Sequence, residues 1–128
     1  MGVSFSRSLR DRLLGEAASS RDHEVCGLLF GCDASIAAAE PARNVAADPA
    51  TTFEIDPAML LAAHRAERAG GRRIVGCYHS HPSGAAIPSA RDVAAAEPGR
   101  LWLIIGAGEA RLWRAGTDGF APVAVRWR

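Results

Sequence analysis

The stretch RIVGCYHSHPSGAAIPSARD, residues 73–92, joins an apolar run to two closely spaced histidines and a turn. The run over residues 73–79 predicts a buried strand, and Pro82 ends it. Side chains two residues apart in a strand point to the same side, so His79 and His81 share a face where the strand ends. Their Cα atoms would lie about 6.5–7 Å apart. Two imidazoles at that separation can close around one metal ion.

A carboxylate follows at a distance that suits the same point. Ser89 and the proline before it predict the start of a short helix that ends near Glu97, and Asp92 lies one turn into it. Two imidazoles and a carboxylate make three protein ligands, which leaves a fourth tetrahedral position for water. That is the arrangement of a catalytic rather than a structural zinc site.

The spacing alone leaves a second interpretation open for each motif. Histidine pairs of the form H-x-H occur in many strands that bind no metal. Ser89 and Asp92 also have the spacing of a helix capping box, in which the two residues only satisfy the backbone at the start of a helix. Cys77, two residues before His79, could approach a metal but is better explained as an ordinary strand position.

The rest of the chain alternates between helical and strand patterns without a linker or repeat. Leu9 to Ala17 have helical spacing after a possible cap at Ser6, and a second helix runs from the Asp56 cap and Pro57 to Gly70. Further strands are predicted over 25–31, 35–45, 101–105, 110–114 and 122–127. The sum is one domain over residues 1–128 of the α+β class, with a mixed sheet flanked by helices in a three-layer arrangement.

Composition narrows the classes of partner and compartment. The net charge is +1 and the arginines form no basic block, so we expect no nucleic acid partner. No segment approaches the ~18 apolar residues of a membrane span, and the arginines near the start break any leader peptide, so we expect a cytoplasmic protein that does not enter a membrane. The three cysteines form no C-x-x-C pair and are interpreted as reduced thiols.

Two separated motifs together resemble a known family. GCYHSHPSGAAIPSARD (residues 76–92) is similar to the signature of the JAMM/MPN+ zinc metallopeptidases, H-[ST]-H-P and then S-x-x-D, with seven residues between the second histidine and the serine. HEVCGLLFG (23–31) resembles the first strand of that family, in which a glutamate precedes a C-G-L-L-type run. RNVAADPATTFEIDP (43–57) resembles the segment that leads to the central helix. The likeness covers most of residues 5–115 in the family's order.

The resemblance implies a fold and a set of roles. The fold would be the MPN core, a curved mixed sheet between helices that is similar to cytidine deaminase. His79, His81 and Asp92 would bind one Zn²⁺ per chain. Glu24 would be the general acid and base, and Ser89 would donate a hydrogen bond to the oxyanion. Two imidazoles and one carboxylate suit zinc, although another divalent metal is not ruled out by the ligand types.

The implied activity is zinc-dependent hydrolysis of a peptide or isopeptide bond. The chain is compact and resembles the small prokaryotic members, some of which cut after the C-terminal Gly-Gly of ubiquitin-like or sulfur-carrier proteins. Two alternatives stay open, a hydrolase of small peptides or amides that uses the same site, and a non-catalytic MPN scaffold or partner-binding module. The sequence names neither the carrier nor the group released, and it leaves the oligomeric state open, a homodimer included.

Overall fold

The computed structural model describes residues 2–128. The helices are α1 (Arg7–Ala18), α2 (Pro57–Arg68) and α3 (Ala90–Ala95). The strands are β1 (Val3–Phe5), β2 (Cys26–Cys32), β3 (Ser35–Ala42), β4 (Ile74–Ser80), β5 (Leu101–Gly106), β6 (Glu109–Gly116), β7 (Gly119–Pro122) and β8 (Val125–Trp127). The predicted caps are present, since Ser6 accepts a hydrogen bond from the Leu9 N–H and Asp56 accepts one from the Ala58 N–H.

The eight strands form one mixed sheet in the order β7-β6-β5-β4-β2-β3-β1-β8. The β4–β5, β1–β3 and β1–β8 pairs are parallel, and the others are antiparallel. The two edge strands β7 and β8 are separated by only two residues of chain. The opposite edges must therefore lie close together, and the sheet is strongly curled.

The C-terminal segment corrects the sequence prediction. The sequence predicts one strand over residues 122–127, but the chain passes from one edge of the sheet to the other here, since the Val123 N–H donates to β6 and the Ala124 carbonyl accepts from β1. β7 pairs with β6 at one edge, and β8 pairs with β1 at the other. The alternation of Val123, Val125 and Trp127 was interpreted as one strand because it shows which side chains face inward but not which strand each segment pairs with. β1 itself was not predicted.

Helices cover both faces of the sheet, which confirms the predicted α+β class. On one face, Leu9, Leu13, Leu14 and Ala17 of α1 pack against a cluster that includes Leu29, Tyr78 and Leu103. On the other face, Met59, Leu60 and Ala63 of α2 pack against Leu28, Phe30 and Ile74. Alternate residues of β2 therefore serve two cores, as expected for a central strand with helices on both sides.

Gly27 allows a tyrosine to anchor α1 to the sheet. It is paired with Tyr78 of β4, and a Cβ atom at position 27 would overlap the Tyr78 ring. The ring is fully buried, and its hydroxyl donates to the Glu16 carboxylate of α1 at 2.9 Å. A Cβ there would also overlap the backbone carbonyl oxygen of Glu40 on β3, so the glycine of the C-G-L-L run is required by close neighbours on both sides and not by an unusual backbone angle.

No helix within residues 2–128 is long and apolar enough to cross a membrane.

Candidate metal centre

The strand pairing brings the histidines and Glu24 to one place. Cys26 of β2 is paired with His79 of β4 in an antiparallel ladder, and the same register continued brings Glu24, two residues before β2, beside His81, the residue after β4. A carboxylate oxygen of Glu24 and one ring nitrogen from each of His79 and His81 lie within 4.8 Å of one another. Ser80, between the histidines, tightens this junction because its hydroxyl accepts from the Val25 N–H at 2.9 Å.

Asp92 completes the cluster from α3. The Nε2 atoms of His79 and His81 are 3.0 Å apart, and the Asp92 carboxylate lies 3.1 Å from the first and 3.2 Å from the second. His79, Asp92 and Glu24 are buried, whereas His81 is partly exposed. The structure therefore brings together all four of these predicted residues.

The chemistry of the donor set fits a metal ion. The Nδ1 atom of His81 lies 2.9 Å from the Ala85 carbonyl, which can only accept, so in a neutral ring this nitrogen carries the proton. In that neutral form the Nε2 lone pair of His81 points toward His79 and Asp92, whereas in the protonated form, without a metal, the Nε2–H donates to Asp92. Within residues 2–128, the buried Oε1 atom of Glu24 has no hydrogen-bond partner, and one oxygen of this carboxylate lies within 4.8 Å of the histidine nitrogens. Lone pairs converging on one point are what a divalent cation requires.

Distances distinguish the two carboxylates. Asp92 is in direct contact with both imidazole nitrogens, whereas the group formed by Glu24 and the histidines extends to 4.8 Å. The shorter set suits ligands of one ion, and the longer reach of Glu24 leaves room for a water molecule between its carboxylate and such an ion. Cys77 is not part of the cluster among the described residues.

The surroundings shift the pKa values of Glu24 and Asp92 in opposite directions. Burial raises the pKa of Glu24 from 4.5 to about 7, against the opposing effect of His81 and Arg91. Burial alone would also raise the pKa of Asp92, but hydrogen bonds from His79 and His81 outweigh it and hold that pKa well below its usual range. Asp92 is therefore ionised, while Glu24 can take up and release a proton near neutral pH.

The two imidazoles also differ. Burial lowers the pKa of His79, which keeps the ring neutral and able to act as a ligand. The hydrogen bond to Asp92 is the main reason why the pKa of His81 is raised. Aromatic rings enclose His79: Phe53 stacks on it with ring centroids 4.4 Å apart, and Trp102 meets it edge-on at 5.4 Å.

Ser89 forms the capping box that the spacing also predicted. Its hydroxyl accepts from the Asp92 N–H at 3.1 Å, and its own N–H donates to the Asp92 carboxylate at 2.9 Å. The cap uses the hydroxyl as an acceptor and leaves its proton available to a second partner. The two interpretations of Ser89 are therefore compatible.

Three contributors at the site were not predicted from the sequence: Asn44, Phe53 and Arg91. All three belong to, or contact, the loop over residues 44–55. An antiparallel β-bridge between Asn44 and Ile55 joins the two ends of this loop. Asn44 is the only asparagine in the chain and stands at the end of a predicted strand, which is the one feature that could have drawn attention to it.

Comparison with protein families identifies the architecture around this cluster. Residues 6–116 match the family of prokaryotic homologs of the JAB domain. The chain belongs to this family. The JAMM/MPN resemblance is thereby confirmed, and the fold agrees with it.

Two relatives of this chain have names that describe an activity. A desampylase from Haloferax volcanii is 39% identical over 109 residues, which cover 80% of this chain and 78% of the relative. A protein from Thermus thermophilus named "Probable TtuB-protein conjugate cleaving protease" is 42% identical over 53 residues, 41% of this chain and 36% of that protein. These relatives confirm the prediction of a JAMM-type hydrolase.

Solved structures agree on the fold. Protein DSY2949 from Desulfitobacterium hafniense has a TM-score of 0.83 at 26% identity and covers 98% of this chain and 92% of its own. A JAB1/MPN domain protein, AF2198 from Archaeoglobus fulgidus, has a TM-score of 0.63 at 18% identity, with 98% of both chains covered. The predicted MPN core is thus confirmed as the fold of this chain.

Proposed function

We propose that this protein is a zinc-dependent isopeptidase or peptidase that cuts after the C-terminal Gly-Gly of a ubiquitin-like or sulfur-carrier protein. The observation that carries the proposal is the convergence of two imidazole nitrogens 3.0 Å apart with one carboxylate beside them and a second, buried one just beyond. The named activities of the Haloferax and Thermus relatives support conjugate cleavage over other hydrolytic reactions.

In this proposal His79, His81 and Asp92 hold the metal. A bound Zn²⁺ supplies Lewis-acid polarisation of the substrate carbonyl and lowers the pKa of water toward about 7. The Glu24 carboxylate accepts the proton of the attacking water and then gives it to the departing amine. The Ser89 hydroxyl, held in place by the capping box, donates a hydrogen bond to the carbonyl oxygen as negative charge develops.

The surroundings of the site have room for an extended tail. A cavity of about 450 Å³ adjoins His81 and lies between the end of α1 and the β5–β6 turn. Its lining mixes small residues such as Ala17 and Gly106 with the larger Leu14 and Arg21. The cavity therefore supplies space for an extended tail beside His81.

The test is cleavage of defined conjugates. The zinc-loaded protein is incubated with a carrier that ends in Gly-Gly linked to a lysine side chain, and with the same conjugate in which the last glycine is replaced by valine. We expect cleavage of the first at the Gly-Gly bond and much slower cleavage of the second, measured by mass spectrometry. Equal cleavage of both, or cleavage only of short peptides, would favour the small-amide hydrolase instead. Bound zinc without turnover of any substrate would favour the scaffold.

A further inference from the structure

Asn44 makes an unusually complete set of hydrogen bonds. Its side-chain nitrogen donates to the backbone carbonyls of Glu24 at 2.9 Å and Thr52 at 3.0 Å. Its side-chain oxygen accepts from the backbone N–H groups of Ala46 and Glu54, both at 3.1 Å. One end of the amide meets only acceptors and the other only donors, which fixes its orientation. A carboxylate in the same place could satisfy only the second pair.

The backbone of Glu24 is held by the 44–55 loop on both sides. The Glu24 carbonyl is bound by Asn44, and the Glu24 N–H donates to the Pro49 carbonyl at 2.8 Å. Glu24 precedes β2, which begins at Cys26, so strand pairing does not hold it. The position of its carboxylate therefore depends on the loop that Asn44 organises.

The same loop contacts the rest of the metal centre. Phe53 stacks on the ring of His79, and the Thr51 hydroxyl accepts from the Arg91 guanidinium of α3 at 2.7 Å. Arg91 is the neighbour of Asp92. A single loop thus contacts the general acid and base, one metal ligand and the helix that bears another.

We propose that Asn44 is a positioning residue, which fastens the backbone of Glu24 to the 44–55 loop and thereby sets the Glu24 carboxylate against His79 and His81. The inference rests on the proposed function, since it assigns Asn44 to the same reaction. Asn44 itself bonds only to main-chain groups and touches no reacting atom. A displacement of roughly 1 Å at a reacting group can lower a rate on the order of a hundredfold, so fastening of this kind has a kinetic consequence.

The experiment compares Asn44→Ala and Asn44→Asp with Asp56→Ala. Asp56 caps α2 directly after the loop through a 3.1 Å bond to the Ala58 N–H, and its side chain does not bond to Glu24. Removing this cap destabilises the fold without loosening Glu24, so Asp56→Ala is the matched control. Asn44→Asp keeps the bonds to Ala46 and Glu54 and loses every bond that the amide nitrogen donates, to the carbonyls of Glu24 and Thr52 and a longer one of 3.5 Å to Pro49, so it tests the donor end of the amide alone.

We expect kcat to fall at least about tenfold in both Asn44 variants, with KM within about threefold of the native value. All chains should retain one zinc. In a Glu24→Gln background, Asn44→Ala should cost less than about threefold more, because the group that it positions is already disabled. Hydrogen exchange of the Glu24 amide and of residues 45–54 should accelerate in Asn44→Ala and stay native-like in Asp56→Ala.

Three results would overturn the inference: native kcat in the Asn44 variants, an equal loss of kcat in Asp56→Ala, or a full further loss in the Glu24→Gln background. Unchanged exchange at Glu24 would do so without any reference to activity. A native chain that turns over no conjugate would instead remove the proposed function, so the two failures are distinguishable.

Discussion

In the candidate metal centre, bonds to neighbouring strands hold the two histidines, whereas bonds to a loop hold Glu24. His79 lies in β4 between paired neighbours, Cys26 on β2 and Ile104 on β5, and the N–H of His81, just past β4, donates to the Ile105 carbonyl of β5. Glu24 lies outside the sheet, where its carbonyl is bound by the side chain of Asn44, 20 residues further along the chain, and its N–H donates to a carbonyl of the same loop. The histidines and Asp92 come from one short stretch of sequence, whereas Glu24 reaches them from a distant segment. Changes in these two halves of the centre should separate metal binding from turnover.

The largest effect is expected when a histidine is removed, because both zinc binding and turnover should then be lost. His81→Ala should lose both the metal and all turnover, because one of three ligands is gone. Since loss of an outer-shell partner alone costs about 10–100-fold in metal affinity, we expect zinc affinity to fall by at least roughly a hundredfold. Competition with a chelator measures it. His64→Ala, a histidine on α2 away from the cluster, is the control and should bind zinc like the native chain; equal affinity in the two variants would mean that His81 is not a ligand.

A change in the other half should leave the metal in place. Glu24→Gln keeps the size of the side chain and removes its ability to accept a proton, so we expect one zinc per chain and a decrease in kcat of about 10²–10⁴. Metal analysis and conjugate cleavage are measured on the same preparation, with Glu109→Gln on the exposed β6 as the control. Full activity of the Glu24 variant would show that another group moves the proton.

The two halves should also differ in the pH dependence of stability. In the metal-free chain, burial raises the pKa of Glu24 from 4.5 to about 7, so the folded state keeps a proton that the unfolded state releases. This stabilisation is complete below pH 4.5 and is lost as the pH rises through about 7. Glutamine does not titrate. The free energy of unfolding of Glu24→Gln should therefore rise relative to the native chain by up to about 3 kcal/mol between these pH values.

Denaturant titrations of both metal-free chains at several pH values measure this difference. The histidines and Asp92 are present in both chains, but Glu24 contributes to the raised pKa of His81, so the measured difference includes the change in His81 titration. A constant difference across the range would mean that the folded and unfolded chains protonate Glu24 alike.

The smallest effect is expected from a substitution outside the candidate metal centre, which changes the stability of the fold and not the site. Gly27→Ala places a Cβ against the Tyr78 ring and should lower the free energy of unfolding by about 1–3 kcal/mol, as overpacking does. Zinc content should not change. Gly70→Ala is a weaker control, because a Cβ there meets no neighbouring atom, although its positive φ of 91° carries its own strain. Native stability of Gly27→Ala would show that the ring moves aside freely.

The sequence predicts the part of the site that contains the histidines better than the part that contains Glu24. His79, His81, Asp92 and Ser89 lie within one short stretch, so strand and helix periodicity indicates that they can converge, but only the family resemblance favours a metal site over a helix cap and an ordinary strand. Glu24 was assigned only through the family resemblance, because nothing in its neighbourhood distinguishes it from a solvated charge. The role of Asn44 depends on contacts that no local pattern encodes. For the same reason residues 119–127 divide between opposite edges of the sheet, which alternation of apolar residues cannot reveal.

Zinc-edge anomalous diffraction from crystals of the zinc-loaded protein tests the central claim most directly. We expect one peak, with the Nε2 atoms of His79 and His81 and one oxygen of Asp92 at about 2.0–2.2 Å, and with the Glu24 carboxylate nearby but not bonded to the metal. A peak coordinated by Glu24 in place of Asp92, or no peak between the histidines, would contradict the assignment of ligands and proton carrier.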